Sequence, residues 1–321
     1  MSMLKKLVFL VVVSLMAPAG VALAQDWPSR PVRVVVPFSP GGAVDVIARA
    51  VLDQVSKQLK QPFVIETRVG AGGTIGAAVV AKSDPDGYTF LVHSSSHTVA
   101  PALYAKLTYS AADDFVPVAM LAKQPTILFV SSAKGYKSIS DFVDAGKKGN
   151  LSYGSGGVGN ATHLNAERFL QSAGFKAVHV PFKGSPEALT EVLAGRIDFS
   201  FSALLPALSL LQDGKIVALA TSSASRSAAL PNVPTTLEAG FPNSDYEFWI
   251  GMMAPQKTPP AITDTLNREI TKVLAMPQIQ EKLKLLGAEV MPMTKDAFGK
   301  LIKDEIAANK KIVAAAGLKP I

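Results

Sequence analysis

The chain contains no cysteine. This excludes disulfides, thiol nucleophiles and a lipid anchor on an N-terminal cysteine, so stability must come from the core. Histidines number four and tryptophans two in 321 residues. His93 and His97 are four positions apart, but Ser94-Ser95-Ser96 lies between them without a nearby carboxylate, so no metal site is expected. The 32 Lys and Arg exceed the 25 Asp and Glu only modestly. They form no dense basic run interleaved with aromatics, which argues against nucleic acid and fits attraction of small anions. After the first two dozen residues, no apolar run is long enough to cross a bilayer without charges or glycines.

What is present begins with a leader. Lys5 and Lys6 form a positive n-region, Leu7 to Met16 an apolar stretch, and Ala22-Leu23-Ala24 a small-x-small cleavage site. Residues 1–24 therefore read as a cleavable signal peptide, with Gln25 opening an exported, periplasmic protein. The remaining chain, with hydrophobic residues at 48% overall, is long enough for two domains and a large core.

Strands and helices alternate almost throughout, which predicts a doubly wound α/β architecture. Val32 to Val36 is a β-branched strand run, ended by Pro37 and Pro40, which fix φ and lack an N–H. Gly41 and Gly42 follow, and apolar residues then recur at helical spacing from Ala43 to about Leu59. A helix opening just behind two glycines offers unpaired N–H donors and the positive end of its dipole. The turn is therefore expected to grip a carboxylate, with both glycine N–H groups unobstructed. A second strand, Phe63 to Glu66, leads into Gly70-Ala71-Gly72-Gly73-Thr74, and a third, Tyr88 to Val92, into the hydroxyl-rich loop Ser94 to Thr98. Ligands of open parallel sheets sit at the carboxyl ends of strands, so these three loops are expected to converge. Asp45 and Arg49 on the first helix read as structural, Asp45 favouring the helix dipole.

The middle of the chain repeats the pattern. Strands are expected at Thr126–Ser131, Leu151–Tyr153, Val178–Phe182, Ile197–Phe201 and Ile216–Thr221, and helices at 139–147, 161–173 and 204–211. Ser185 is expected to cap the helix after Lys183-Gly184. Residues 225–245, rich in Pro, Ser and Asn, read as a connection, Tyr246 to Met253 as a strand crossing back, and 261–274, 278–286 and 295–315 as closing helices.

Two chemistries fall short. Gly154-x-Gly156-x-x-Gly159 matches a dinucleotide fingerprint, but the acidic residue required about 20 positions on is replaced by His179-Val180-Pro181-Phe182-Lys183. Backbone donors for an anion are the better reading. An exported hydrolase on a small ester or amide is the competing function, but Tyr153-Gly154-Ser155-Gly156-Gly157 lacks the first glycine of the nucleophile-elbow motif. His163 either bonds a ligand or serves as a structural hydrogen-bonder, and Trp249 either floors a cleft or packs at a hinge.

A family likeness then spans the chain after the leader. Trp27-Pro28-Ser29-Arg30-Pro31, Pro37-Phe38-Ser39-Pro40-Gly41-Gly42, Gly70-Ala71-Gly72-Gly73-Thr74-Ile75-Gly76 and Pro85-Asp86-Gly87-Tyr88 open the match. Ser155-Gly156-Gly157-Val158-Gly159 with Thr162-His163-Leu164, Val180-Pro181-Phe182-Lys183-Gly184 and Leu230-Pro231-Asn232-Val233-Pro234 continue it. The chain resembles the Bug-type receptors of tripartite tricarboxylate transporters. The resemblance implies a type II periplasmic-binding-protein fold: two α/β domains, residues 25–124 plus 247–321 and residues 125–246, with a ligand cleft between them. It implies a binding receptor rather than an enzyme, without a cofactor. The ligand would be a small di- or tricarboxylate or an aromatic acid, delivered by a monomer to integral-membrane permease subunits. The implied ligand contacts are Ser39, Gly41, Gly42, Gly72, Gly73 and Thr74 in one domain and Ser155, Gly156, Gly159 and Thr162 in the other. Ser95, from the hydroxyl-rich loop, joins them. Ser202 stands where many relatives carry Asp, which would disfavour ligands bearing an ammonium group.

Overall fold

The computed structural model describes residues 27–315 and Pro320. The leader reading of residues 1–24 lies outside the described residues.

The first strand, β1 (Val32–Val36), is buried on both faces, as a β-branched run in a covered parallel sheet must be. It feeds α1 (Ala43–Leu59), whose Val44, Ile47, Val51, Leu52 and Val55 form the buried stripe. Strand β2 (Phe63–Thr67), helix α2 (Thr74–Ala81), strand β3 (Thr89–Ser94) and helix α3 (Ser96–Leu103) complete the opening βαβ units. Ser94 to Thr98 is thus not a loop, as expected from its hydroxyls, but the end of a strand and the start of a helix. The Ser94 hydroxyl donates to Ser96 Oγ at 2.9 Å, and the Thr98 hydroxyl donates to the Ser95 carbonyl at 2.8 Å, so these polar groups are satisfied inside the turn.

Strand β4 (Phe115–Gln124) was not expected, because Pro117 interrupts its apolar run. The structure accommodates the proline at the edge of the sheet, opposite Met253, beside a register shift in the pairing. A single proline then leads to β5 (Thr126–Ser131) in a second sheet. There follow α4 (Ile139–Lys148), β6 (Leu151–Ser155), α5 (Ala161–Ala173), β7 (Ala177–Pro181), α6 (Ser185–Leu193), β8 (Phe199–Ala203), the short α7 (Leu208–Gln212) and β9 (Ile216–Thr221). Gly184, not Ser185, is the cap of α6, and no side chain caps it. The chain returns through residues 222–247 to β10 (Phe248–Pro255) and closes with α8 (Pro260–Leu274), α9 (Pro277–Leu285) and α10 (Lys295–Ala315).

The strand orders are β2-β1-β3-β10-β4 and β7-β6-β8-β5-β9. In each sheet β1 or β6 pairs in parallel with both its neighbours, and one strand, β10 or β5, runs antiparallel to the other four. The two sheets are the centres of two lobes. At the crossing, the Ser222 N–H donates to the Thr126 carbonyl at 2.9 Å, and Asn165 Nδ2 donates to Thr126 Oγ1 at 2.5 Å and Ser222 Oγ at 2.9 Å. Apolar clusters cover each sheet, and the cluster under α1 also takes in Ala161, Leu164 and Ala203 of the opposite lobe.

Candidate functional site

Because β1, β2 and β3 are parallel neighbours, their carboxyl ends lie on one edge of the first sheet. Those of β6, β7 and β8 lie on one edge of the second. The two edges meet. Between them is a small cavity of about 30 Å³, walled by Ser39, Gly42, Ala43, Val44, Ser94 and Ser96 from one lobe and by Gly156, Asn160, Thr162, Gly184, Ser185 and Ala203 from the other. Phe38 and Phe248 complete the wall, and none of these side chains is charged. A far larger groove, about 550 Å³, lies along α10 with Lys295, Lys300 and Lys303 on its walls, and it contains none of the expected ligand contacts.

The cavity is organised by helix starts. Ala43 and Val44 open α1, Ser96 opens α3, Thr162 sits in the first turn of α5 behind its cap Asn160, and Gly184 and Ser185 begin α6. The first N–H groups of a helix have no intrahelical acceptor. In α1, Val46 is the first residue bonded back, to the Gly42 carbonyl at 3.0 Å. In α5, Leu164 is bonded back to the Asn160 carbonyl at 3.1 Å, and His163 N–H donates to Asn160 Oδ1 at 2.9 Å. These four helix starts direct positive dipole ends and backbone donors at one uncharged space, which is suited to an anion.

The glycine N–H groups contribute less than expected. Gly41 N–H donates to Asp45 Oδ2 at 3.0 Å, and Gly42 N–H to the Ser39 carbonyl at 3.2 Å, so neither is unobstructed. Asp45, buried and held by Arg49 at 2.9 Å, pins the loop, the structural role expected of this pair. In the other lobe, Gly156 N–H donates to Thr162 Oγ1 at 3.0 Å and Gly159 N–H to His163 Nδ1 at 3.2 Å. The first-turn N–H groups of α1, one or two residues beyond Gly42, remain at the site, whereas in α5 the Ala161 N–H donates across the cleft to Ser96 Oγ at 2.8 Å.

Of the expected contacts, the structure brings Ser39, Gly42, Gly156 and Thr162 to the cavity wall. Gly41, Gly72, Gly73, Thr74, Ser95, Ser155, Gly159 and Ser202 lie outside it. Gly72, at φ +62°, presses on the opposing loop so closely that a Cβ would stand 2.3 Å from the Val158 carbonyl oxygen. Gly73, at φ +101°, is packed on the His93 ring, 2.6 Å from a Cβ position. The Thr74 hydroxyl donates to the Ala71 carbonyl at 2.9 Å, closing its own turn. Gly159 lies under the Tyr104 ring, whose hydroxyl donates to the Val158 carbonyl at 2.6 Å, from one lobe to the other. Ser95 caps α3 behind Ser94 and Ser96, the residues on either side that do reach the wall. Ser202 is buried in β8 and donates to the Ala203 carbonyl at 3.1 Å, while Ala203 faces the cavity. Strand alternation and helix geometry, which a motif does not display, decide these one-residue differences.

Ser155 and His163 belong to a buried stack. The Ser155 hydroxyl and His179 Nε2 are 2.6 Å apart, and His179 lies parallel to His163 at 4.0 Å and to Tyr153 at 4.8 Å. Burial pushes the imidazoles down, His163 to about 4 and His179 to about 3, so both are neutral at physiological pH. His163 is therefore the structural hydrogen-bonder. Glu167, whose carboxyl burial raises, receives the Tyr153 hydroxyl and is 4.0 Å from His163 Nε2. Ser155 is fully buried and outside the cavity wall, a poor position for a nucleophile.

In the first lobe, His93 and His97 stack edge to face at 5.4 Å, and burial lowers them to about 3 and about 4. His93 Nδ1 accepts from Ser94 N–H at 2.9 Å, and His97 Nε2 is 2.9 Å from the Ala111 carbonyl. Trp249 is fully buried away from the cleft: it packs on Phe298 and donates to the Glu305 carboxyl at 3.0 Å. It is the packed aromatic, not a cleft floor.

This fold and cleft are those of a periplasmic solute-binding receptor. The profile of the tripartite tricarboxylate transporter family receptors matches residues 47–318, and the chain belongs to that family. BugT of Bordetella pertussis is 34% identical over 310 residues, 94% of this chain and 95% of that protein. A Rhodopseudomonas palustris protein solved with adipate superimposes with a TM-score of 0.89 at 33% identity, covering 92% of this chain and all (100%) of that one. MatC from Rhodopseudomonas palustris, solved with bound malate, does so at 0.85 and 32% identity, covering 89% and 100%. Members of this family are binding receptors, not enzymes, and the hydrolase reading is set aside.

Proposed function

We propose that this receptor captures a small organic carboxylate between its lobes and hands it to a membrane permease after export behind the leader at residues 1–24. The observation that carries this is the convergence of helix N-termini from both lobes on one uncharged cavity. Carboxylate oxygens would accept from the first-turn N–H groups of α1, from the Thr162 N–H of α5 and from hydroxyls such as Ser96 and Ser185. The ligands seen in relatives, adipate and malate, are of this chemistry.

Residues 25–124 with 247–321, and residues 125–246, would move as two domains about the crossings near Pro125 and residues 222–247. The cavity of about 30 Å³ holds roughly two waters. Small-molecule sites span roughly 300–1,000 Å³. The lobes must therefore part to admit a ligand, whose preference for the closed arrangement then shifts the equilibrium. Both walls come from one chain, which fits a monomer.

A thermal-shift screen against mono-, di- and tricarboxylates, aromatic acids, amino acids and sugars tests the proposal. A true ligand at a hundred times its Kd stabilises by about 2.7 kcal/mol, a shift of several degrees. A response to acids and none to sugars supports the reading; a response to sugars alone overturns it.

A further inference from the structure

Ser39, on the cavity wall, does not offer its hydroxyl proton to that cavity. It donates across the cleft to Glu187 Oε1 at 2.7 Å. Glu187 stands in the first turn of α6, where an acidic side chain suits the helix dipole. Its other oxygen, Oε2, is buried without a hydrogen-bond partner. That oxygen lies against Gly184, 3.2 Å from where a Cβ would be. The walls of the cavity are uncharged, so the carboxylate directly behind Ser39 is a local negative charge beside a set of donors suited to an anion.

We propose that Glu187 is an internal competitor for the ligand's carboxylate, occupying Ser39 until an anion displaces it. The inference rests on the carboxylate-receptor reading above. A carboxylate on the Ser39 hydroxyl is the same bond a ligand would make, supplied here by the protein. The cavity is too small for a dicarboxylate while the Ser39–Glu187 bond holds the lobes together. Once a ligand enters, two carboxylates would share a cleft with little water, and like charges at short range in that setting repel strongly. Glu187 thus sets a threshold on anion affinity. A ligand binds only if its contacts with the helix starts of α1, α3 and α5 exceed the loss of the Ser39–Glu187 bond and the added repulsion. It also discriminates: an acid whose far end is neutral, or carries a hydrogen-bond donor, meets Glu187 at less cost than a second carboxylate does.

The test is calorimetric titration of the purified protein with succinate, malate and adipate, for the native chain, Glu187→Gln and Ser39→Ala. Gln has nearly the shape of Glu and can still accept from Ser39, but it carries no charge. The expected result is that Glu187→Gln binds these anions about tenfold more tightly, and that the gain shrinks when Ser39 is already alanine. Equal or weaker binding by a folded Glu187→Gln, verified by its thermal melt, overturns the inference. If the Gln variant does not fold, Glu187→Ala is read by the same criterion. Binding of none of the three anions to any of the proteins would overturn the receptor reading and this inference together; binding with an unchanged Glu187→Gln overturns the inference alone.

Discussion

The two lobes have the same strand plan, yet they hold their cleft loops by different means. In the first, the loops rely on backbone shape: glycines at positive φ, the Asp45–Gly41 bond and close packing of Gly72 and Gly73. In the second, the loop from Ser155 to Thr162 is held by side chains. Asn160 caps α5 through His163 N–H, Thr162 accepts from Gly156, His163 accepts from Gly159, and Ser155 is held by His179. A loop shaped by glycine tolerates close approach from the opposite lobe but no added Cβ. The second loop shares that limit at Gly157 and Gly159, which are also at positive φ, and in addition does not tolerate the loss of one polar partner, because an unmatched buried group is costly.

The largest expected effect falls on the second lobe. Ser202→Asp would place a carboxylate in a fully paired, buried strand position beside the Ala203 carbonyl, with no cation among the described partners. Burying an uncompensated charge should cost about 3 kcal/mol or more, read as a lowered midpoint in urea. A stable Ser202→Asp that merely changed ligand preference would show that the side chain at 202 reaches the cleft after all.

Gly72→Ala tests the first lobe's reliance on glycine. A Cβ at 2.3 Å from the Val158 carbonyl, on a residue at φ +62°, must push the lobes apart. The expected cost is about 2 kcal/mol in the closed arrangement, or roughly thirtyfold in ligand affinity. The same substitution should leave the urea midpoint of the second lobe unchanged.

Between these lies a pH effect confined to the first lobe. Burial raises Glu305 to about 7, although Trp249 Nε1 donates to its carboxyl at 3.0 Å, and Thr98 Oγ1 lies 2.8 Å from its Oε2. The groups facing it include Tyr246, raised by burial, and Glu247, also raised by burial. The folded chain keeps the Glu305 proton between its unfolded value, 4.5, and about 7, while the unfolded chain has lost it. Stability from this group is therefore complete below the unfolded value and falls as pH rises through that window. Glu305→Gln should flatten the stability profile between pH 5 and 8 by about 2 kcal/mol, measured by urea denaturation at each pH.

The smallest effect sharpens the second lobe's side of the comparison. Asn160→Ala removes the α5 cap and the acceptor of Thr162 Oγ1. A loss of about 1 kcal/mol in stability is expected, with a larger relative loss of ligand affinity, because the α5 N-terminus faces the cavity. An Asn160→Gly variant that restores stability but not affinity would separate capping from positioning.

Periodicity and punctuation in the sequence were enough for much of the fold. The β-branched run Val32 to Val36, the apolar stripe of α1, the glycine-ended strands and the closing helices all follow from local physics. So did the convergence of parallel strand ends on one edge, while the family was legible only as a motif resemblance along the chain. Two elements escaped. β4 was hidden by Pro117, which only its edge position and the register shift opposite Met253 make acceptable. The start of α3 was hidden by Ser94-Ser95-Ser96, where the Ser94 hydroxyl donates to Ser96 Oγ and the Thr98 hydroxyl donates to the Ser95 carbonyl.

At the site the division is finer. The sequence by itself determined that glycine- and serine-rich loops precede helices, and hence that helix N-termini would face one space. Only the tertiary structure decided which atoms are left to do so. Gly41, Gly42, Gly156 and Gly159 give their N–H groups to Asp45, Ser39, Thr162 and His163. The Ser39 hydroxyl goes to Glu187, 148 residues away in the chain. A motif specifies which conformations a backbone can adopt, but hydrogen-bond partners are chosen by proximity in the folded chain, and that proximity is set by packing.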